Sequence, residues 1–159
     1  MAKKNTRIVI RGMDDVKQGL MKLGLTARQS RTEINKALRP AATKLAKGMQ
    51  QAYQKEFNTH NRRGLGVTPT WKTIGVITAK RSREAGLFVG PIKKRTTPII
   101  VKGSNSSNLA AMQIKGNKKQ RPRKNIFKAT ATKMEETIYL QAEKDLDKLL
   151  NKWIKKAGF

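Results

Sequence analysis

The residues best equipped for chemistry in this chain are cations gathered in runs. Arg62-Arg63, Lys80-Arg81-Arg83, Lys93-Lys94-Arg95 and Lys118-Lys119-Arg121-Arg123-Lys124 all fall at expected loops or strand ends. Guanidinium and ammonium groups at this density suit phosphates, which attract them whatever the base sequence. No aromatic residue is interleaved with them, so base stacking is not what they fit. Loops of neighbouring strands cluster at one edge of a sheet, and the four runs are expected to merge there into one positive surface. For any single run, scattered solvated charge is the alternative.

The rest of the chain deepens this imbalance. Its 159 residues hold 36 Lys+Arg against 10 Asp+Glu, a formal net charge of +26. Between Phe57 and Met134, eighteen Lys/Arg face one acid, Glu84, whereas Glu135, Glu136, Glu143, Asp145 and Asp147 supply half of all the acids within thirteen residues. A field of this strength repels itself in a compact state and calls for a neighbouring polyanion.

Catalytic chemistry finds little support. His60 stands alone in a polar stretch without the further ligands a zinc or facial-triad site requires. No nucleophile and orienting acid accompany it. Asp14-Asp15 and Glu135-Glu136 are adjacent pairs, and adjacent helical positions point in different directions, which rules out a shared proton. Asp14 fits a helix N-cap better. Arg63-Gly64-Leu65-Gly66 lacks the spacing and lysine of a phosphate loop. Trp71 and Trp153 fall on apolar faces and read as core. The expectation is a protein that is not an enzyme, with no metal and no cofactor.

Size and composition define what must carry the basic runs. The length suits one domain over 1–159, and 37% apolar residues imply a modest core or burial on assembly. There is no cysteine, hence no disulfide. No apolar run approaches the roughly 18 residues of a membrane span. The three-residue apolar stretch after Arg7 is too short for a signal peptide, so a cytoplasmic chain, or an assembly built there, is expected.

Periodicity supplies the elements. Ile8-Val9-Ile10 reads as a strand. Met13, Val16, Leu20 and Leu23 mark a short helix ending at Gly24. Thr26 with Gln29, or Ser30 with Glu33, forms a capping box for a second helix. Its stripe of Ile34, Leu38, Ala41, Leu45, Met49, Ala52 and Tyr53 runs to about Phe57. Pro40 predicts a kink or a restart within it. Trp71–Thr78 and Gly86–Ile92 read as a hairpin with Ile74 and Val76 on one face, and Ile99–Lys102 as a further strand. Leu109–Lys115 fits a strand or a helical turn. Phe127, Ala131, Met134, Ile138, Ala142, Leu146, Leu149 and Trp153 define a long C-terminal helix with Lys133, Lys144, Lys148 and Lys152 outside. No repeat occurs at solenoid spacing. The expected fold is α+β: an antiparallel sheet of about four strands packed against a long kinked helix and a long C-terminal helix. Flexible basic loops are expected at 58–70 and 103–125.

The order of these phrases is similar to that of a known family. RIVIRGMDDVKQGLMKL, then INKALRPAATKLAKGMQ, a basic glycine-containing loop, a β-rich centre and RPRKNIFKAT before the last helix resemble the tail-completion, or head–tail joining, proteins of long-tailed bacteriophages. The family's Thr-Gly-x-Leu phrase survives as Arg63-Gly64-Leu65. Its Glu-Phe-Gly-Thr phrase corresponds to Ile114-Lys115-Gly116-Asn117 without the Glu. Its Pro-Phe-Leu-x-Pro-Ala phrase becomes Asn125-Ile126-Phe127-Lys128-Ala129 without the prolines.

The resemblance implies a virion protein of the neck. Such a protein forms a ring, typically of six subunits, between the head connector or adaptor and the tail tube, with packaged double-stranded DNA in or against its channel. It is assembled in the host cytoplasm and resides at the head–tail junction. The phrases fit a joining ring and a tail terminator alike, and carry over no individual interface residue. On charge alone, a small non-specific nucleic-acid-binding protein associated with the nucleoid or the ribosome fits as well.

Overall fold

The computed structural model describes residue 10 and residues 12–57, 70–78, 84–92 and 126–158. Three helices and a two-stranded antiparallel sheet make an α+β body: α1 (Met13–Lys22), α2 (Ala27–Phe57), a 3₁₀ turn (Thr70–Thr73), β1 (Ile74–Thr78), β2 (Leu87–Pro91) and α3 (Ile126–Lys156).

Local chemistry explains each boundary. α1 starts after Gly12, whose φ of 78° is a left-handed conformation that only glycine adopts freely. This corrects the assignment of Asp14 as N-cap: Asp14 and Asp15 lie in the first turn, where carboxylates complement the helix dipole. Partly buried Met13 packs against the core and brings the helix start forward. At the other end, Leu25 N–H donates to Leu20 C=O at 3.1 Å and Gly24 N–H to Met21 C=O at 3.0 Å. With Gly24 at φ 91°, this is a Schellman stop. Leu20 and Leu25, both buried, supply the apolar contact that accompanies it.

The Thr26 capping box, rather than the Ser30 one, opens α2. Gln29 N–H donates to Thr26 Oγ1 at 3.3 Å, and Thr26 N–H donates to Gln29 Oε1 at 2.9 Å. Ser30 lies inside the helix, its hydroxyl donating back to Thr26 C=O at 3.0 Å. α2 is a single 31-residue helix through Pro40, so the restart does not occur. Pro40 sits on the exposed side, away from the stripe that packs.

α2 is the hub, touching α1, α3, both strands and the 3₁₀ turn. Ile34, Leu38, Ala41, Leu45, Met49 and Tyr53 are buried along it, facing Ile126, Ala131, Ile138, Ala142, Leu146 and Leu149 of α3 within one cluster. A Cβ on Gly48 would collide with the thioether of Met134 and approach Thr130, while Gly19 of α1 faces Leu150. The end of α2 therefore meets the start of α3, and the two helices run antiparallel. Gly48→Leu is expected to cost about 1–3 kcal/mol by overpacking. Urea titration should show Met134→Ala in the same chain recovering part of that loss; equal losses in both backgrounds would contradict the close approach.

The hairpin lies along α2. β1 and β2 pair in the register Ile74↔Pro91, Val76↔Val89 and Ile77↔Phe88. Ile74 is buried and Val76 and Val89 partly so, as the alternation predicts, while Ile77 (37% exposed) and Phe88 (60%) share the outer face. The expected strand from Trp71 begins instead at Ile74. Thr73, fully buried, closes the pair by accepting the Ile92 N–H at 2.8 Å, and Thr70–Thr73 forms the 3₁₀ turn.

Two amides of α2 fix the hairpin's ends. Gln50 Nε2 donates to Ile74 C=O at 2.6 Å, and Gly86 N–H donates to Asn35 Oδ1 at 2.8 Å. Truncating either amide to alanine leaves a half-buried backbone group unpaired, a loss of about 1–3 kcal/mol. Hydrogen exchange should then accelerate in β1 and β2 while α3 keeps its protection; uniform acceleration would refute this division.

Of the other expected strands, Ile10 stands outside the sheet and packs partly buried on the core. Ile8, Val9, Ile99–Lys102 and Leu109–Lys115 lie outside the described residues, as do the expected loops except Thr70.

Candidate functional site

Charge is partitioned along the chain. The described residues carry all ten acids and seventeen Lys/Arg, a net +7. The remaining nineteen cations fall in the segments outside them, with no acid. All thirteen cations singled out from the sequence belong to that second group: Arg62, Arg63, Lys80, Arg81, Arg83, Lys93, Lys94, Arg95, Lys118, Lys119, Arg121, Arg123 and Lys124 lie outside the described residues. So do His60 and the Arg63–Gly66 phrase. In sequence, the nineteen cations precede α1 or follow α2, β1 and β2.

Within the body, α2 carries a basic stripe that its cation spacing could have disclosed. Lys36, Arg39, Lys44 and Lys47 follow one another by three, five and three residues, which places them on one side of a 3.6-residue helix. That side is opposite Ile34, Leu38, Ala41 and Leu45, so burying the apolar stripe forces the cations outward. With Pro40 and Thr43 they line an open, shallow patch on the outer face of the helix. Lys36 Nζ lies 2.7 Å from Glu33 Oε1, an exposed pair of the kind worth little. Arg39, Lys44 and Lys47 have no acid paired with them among the described residues.

α3 carries the opposite sign. Glu136, Glu143 and Asp147 share one exposed side with Leu140, which is 58% exposed. Lys144, Lys148 and Lys152 form the adjoining row. Asp145 turns away from this stripe, accepting a hydrogen bond from Gln141 at 2.9 Å and lying 3.9 Å from Lys148.

The tryptophans belong to the body. Trp71 and Trp153 are partly buried against the core, with Lys72 Nζ 5.4 Å and Lys156 Nζ 4.5 Å from their ring centres. Trp153 Nε1 is buried without a hydrogen-bond partner among the described atoms. Among the described residues, no three His, Cys, Asp or Glu side chains are grouped to hold a metal ion, and no helix is long and apolar enough to cross a membrane.

The arrangement can do electrostatic chemistry: exposed ammonium and guanidinium groups contacting phosphates or carboxylates. Comparison of the chain with protein-family models, with curated proteins and with solved structures finds no match.

Proposed function

We propose that this chain is a non-enzymatic structural subunit of the neck of a tailed bacteriophage. Six or so copies form a ring between the head connector and the tail tube, assembled in the host cytoplasm and resident at the head–tail junction of the virion. The runs at 62–63, 80–83, 93–95 and 118–124 lie against packaged double-stranded DNA and touch its phosphates without reading bases. The sheet is completed to about four strands by segments such as Ile99–Lys102.

The observation that carries this reading is the partition of charge. Every acid lies within residues 12–57, 84–92 and 126–158, whereas residues 1–9, 11, 58–69, 79–83 and 93–125 hold nineteen cations and no acid, a division along the sequence suited to a subunit that packs through one part and meets a polyanion through the other. The order of sequence phrases shared with the head–tail joining family supports it. Gold-labelled antibody against the chain should decorate purified virions at the head–tail junction. Label along the tube, over the capsid, or on no virion structure would reject the proposal.

The same charge favours a second reading, a small nucleic-acid-binding protein of the nucleoid or ribosome. Sizing at moderate salt separates the two: rings, alone or on connector or tail proteins, support the neck, and a monomer or dimer that binds DNA or RNA tightly supports the alternative.

A further inference from the structure

The basic stripe of α2 and the acidic stripe of α3 match in length and spacing and are opposite in sign. Lys36 and Lys47 are eleven residues apart, and so are Glu136 and Asp147, which at 1.5 Å per residue is about 16 Å in each helix. Between the ends, Pro40 and Thr43 stand four and seven residues after Lys36, and Leu140 and Glu143 four and seven residues after Glu136, a spacing that reads the same in either direction. Because α2 and α3 run antiparallel within a copy, a small rotation between copies leaves α3 of one antiparallel to α2 of the next. Laid side by side in opposite directions, the stripes oppose Lys36 to Asp147, Arg39 and Pro40 to Glu143, Thr43 to exposed Leu140, and Lys47 to Glu136.

A single copy cannot make this contact. Each stripe lies away from its own helix's buried face, and those faces pack the two helices together. A surface that complements a different surface of an identical molecule generates a head-to-tail contact, which closes into a ring when the rotation allows. The charges confer register and exclude the like-charged pairings of α2 on α2 and α3 on α3.

We infer that the α3 stripe Glu136–Leu140–Glu143–Asp147 of one copy docks on the α2 stripe Lys36–Arg39–Lys44–Lys47 of the next, and that this is the subunit contact of the assembly. The inference rests on the ring reading above. It assigns the cations of α2 to protein carboxylates and leaves the acid-free segments for DNA.

Two charge-reversed proteins test it. One carries Lys36→Glu, Lys44→Glu and Lys47→Glu; the other carries Glu136→Lys, Glu143→Lys and Asp147→Lys. All six positions are exposed, and circular dichroism checks that both proteins are folded. In sedimentation at low salt, each variant alone is expected at the 17.9 kDa subunit mass. An equimolar mixture is expected to recover the wild-type mass, because every contact then joins opposite charges again. Leu140→Asn, a milder change, is expected to weaken wild-type assembly at least tenfold.

Variants that assemble like wild type, or a mixture that stays dissociated, would overturn the docking surface while leaving the ring reading intact. So would reversed α2 cations that spare assembly and abolish duplex DNA binding, which would make that stripe a nucleic-acid face. A wild-type chain that remains monomeric, alone and with connector and tail proteins, would overturn both. Assembly rescued by the mixture, with antibody label away from the neck, would uphold the contact and reject the location.

Discussion

Replacing Lys118, Lys119, Arg121, Arg123 and Lys124 together with glutamine is expected to weaken duplex DNA binding at least about a hundredfold at roughly 0.1 M salt. Each phosphate contact contributes about 0.9 to the slope of log K against log salt, so a run of five removes up to about 4.5 from that slope. The loss should be the same for unrelated duplexes, because contacts to the phosphate backbone carry no base information. Filter binding or fluorescence anisotropy across a salt series checks this. An unchanged slope would show that the densest run in the chain touches no DNA. The helical body should be unaffected, since none of the five belongs to α1, α2, α3, β1 or β2.

The second large effect lies in the core. Tyr53 is fully buried, in one cluster with Met49 of α2 and Ile74 of β1. Its truncation removes a large apolar surface and leaves a cavity between the hub helix and the elements on it. Tyr53→Ala is expected to cost about 3–5 kcal/mol, a large part of the roughly 5–15 kcal/mol that holds a domain of this size together. Lys47→Ala, on the exposed side of the same helix, is a surface change expected within about 0.5 kcal/mol. Chemical denaturation of the two variants side by side tests the contrast. A loss below about 1 kcal/mol for Tyr53→Ala would mean that α2 is not the element on which the fold depends.

The helices were legible because burial imposes a single period on them. Every residue of the predicted α3 stripe from Ala131 to Leu149 is buried except Met134, which is half-buried, and the Thr26–Gln29 box and Gly24 mark boundaries by hydrogen bonds that few other residues make. The hairpin was legible through its alternation. Two features were not. Gly12 displaces Asp14 as the cap because a left-handed entry, which the sequence does not advertise, lets Met13 reach the core. Trp71–Thr73 turn rather than extend because the pair is closed by the Thr73 carbonyl, a tertiary hydrogen bond.

The candidate site was read from cations adjacent in sequence, and such runs favour segments outside the helices. The α2 stripe escaped that reading because its cations are separated by neutral and apolar residues. They converge only when the chain is wound at 3.6 residues per turn, and the same winding aligns Glu136, Glu143 and Asp147. Helical spacing of charge, applied as strictly as helical spacing of leucines, would have found both.

The salt dependence of wild-type binding to two unrelated duplexes measures directly whether the cations of residues 58–69, 79–83 and 93–125 meet phosphates. Equal affinities for the two are expected, with a slope of log K against log salt steeper than about −4, which corresponds to at least five phosphate contacts. A flat salt dependence, or a clear preference for one duplex, would contradict the proposal.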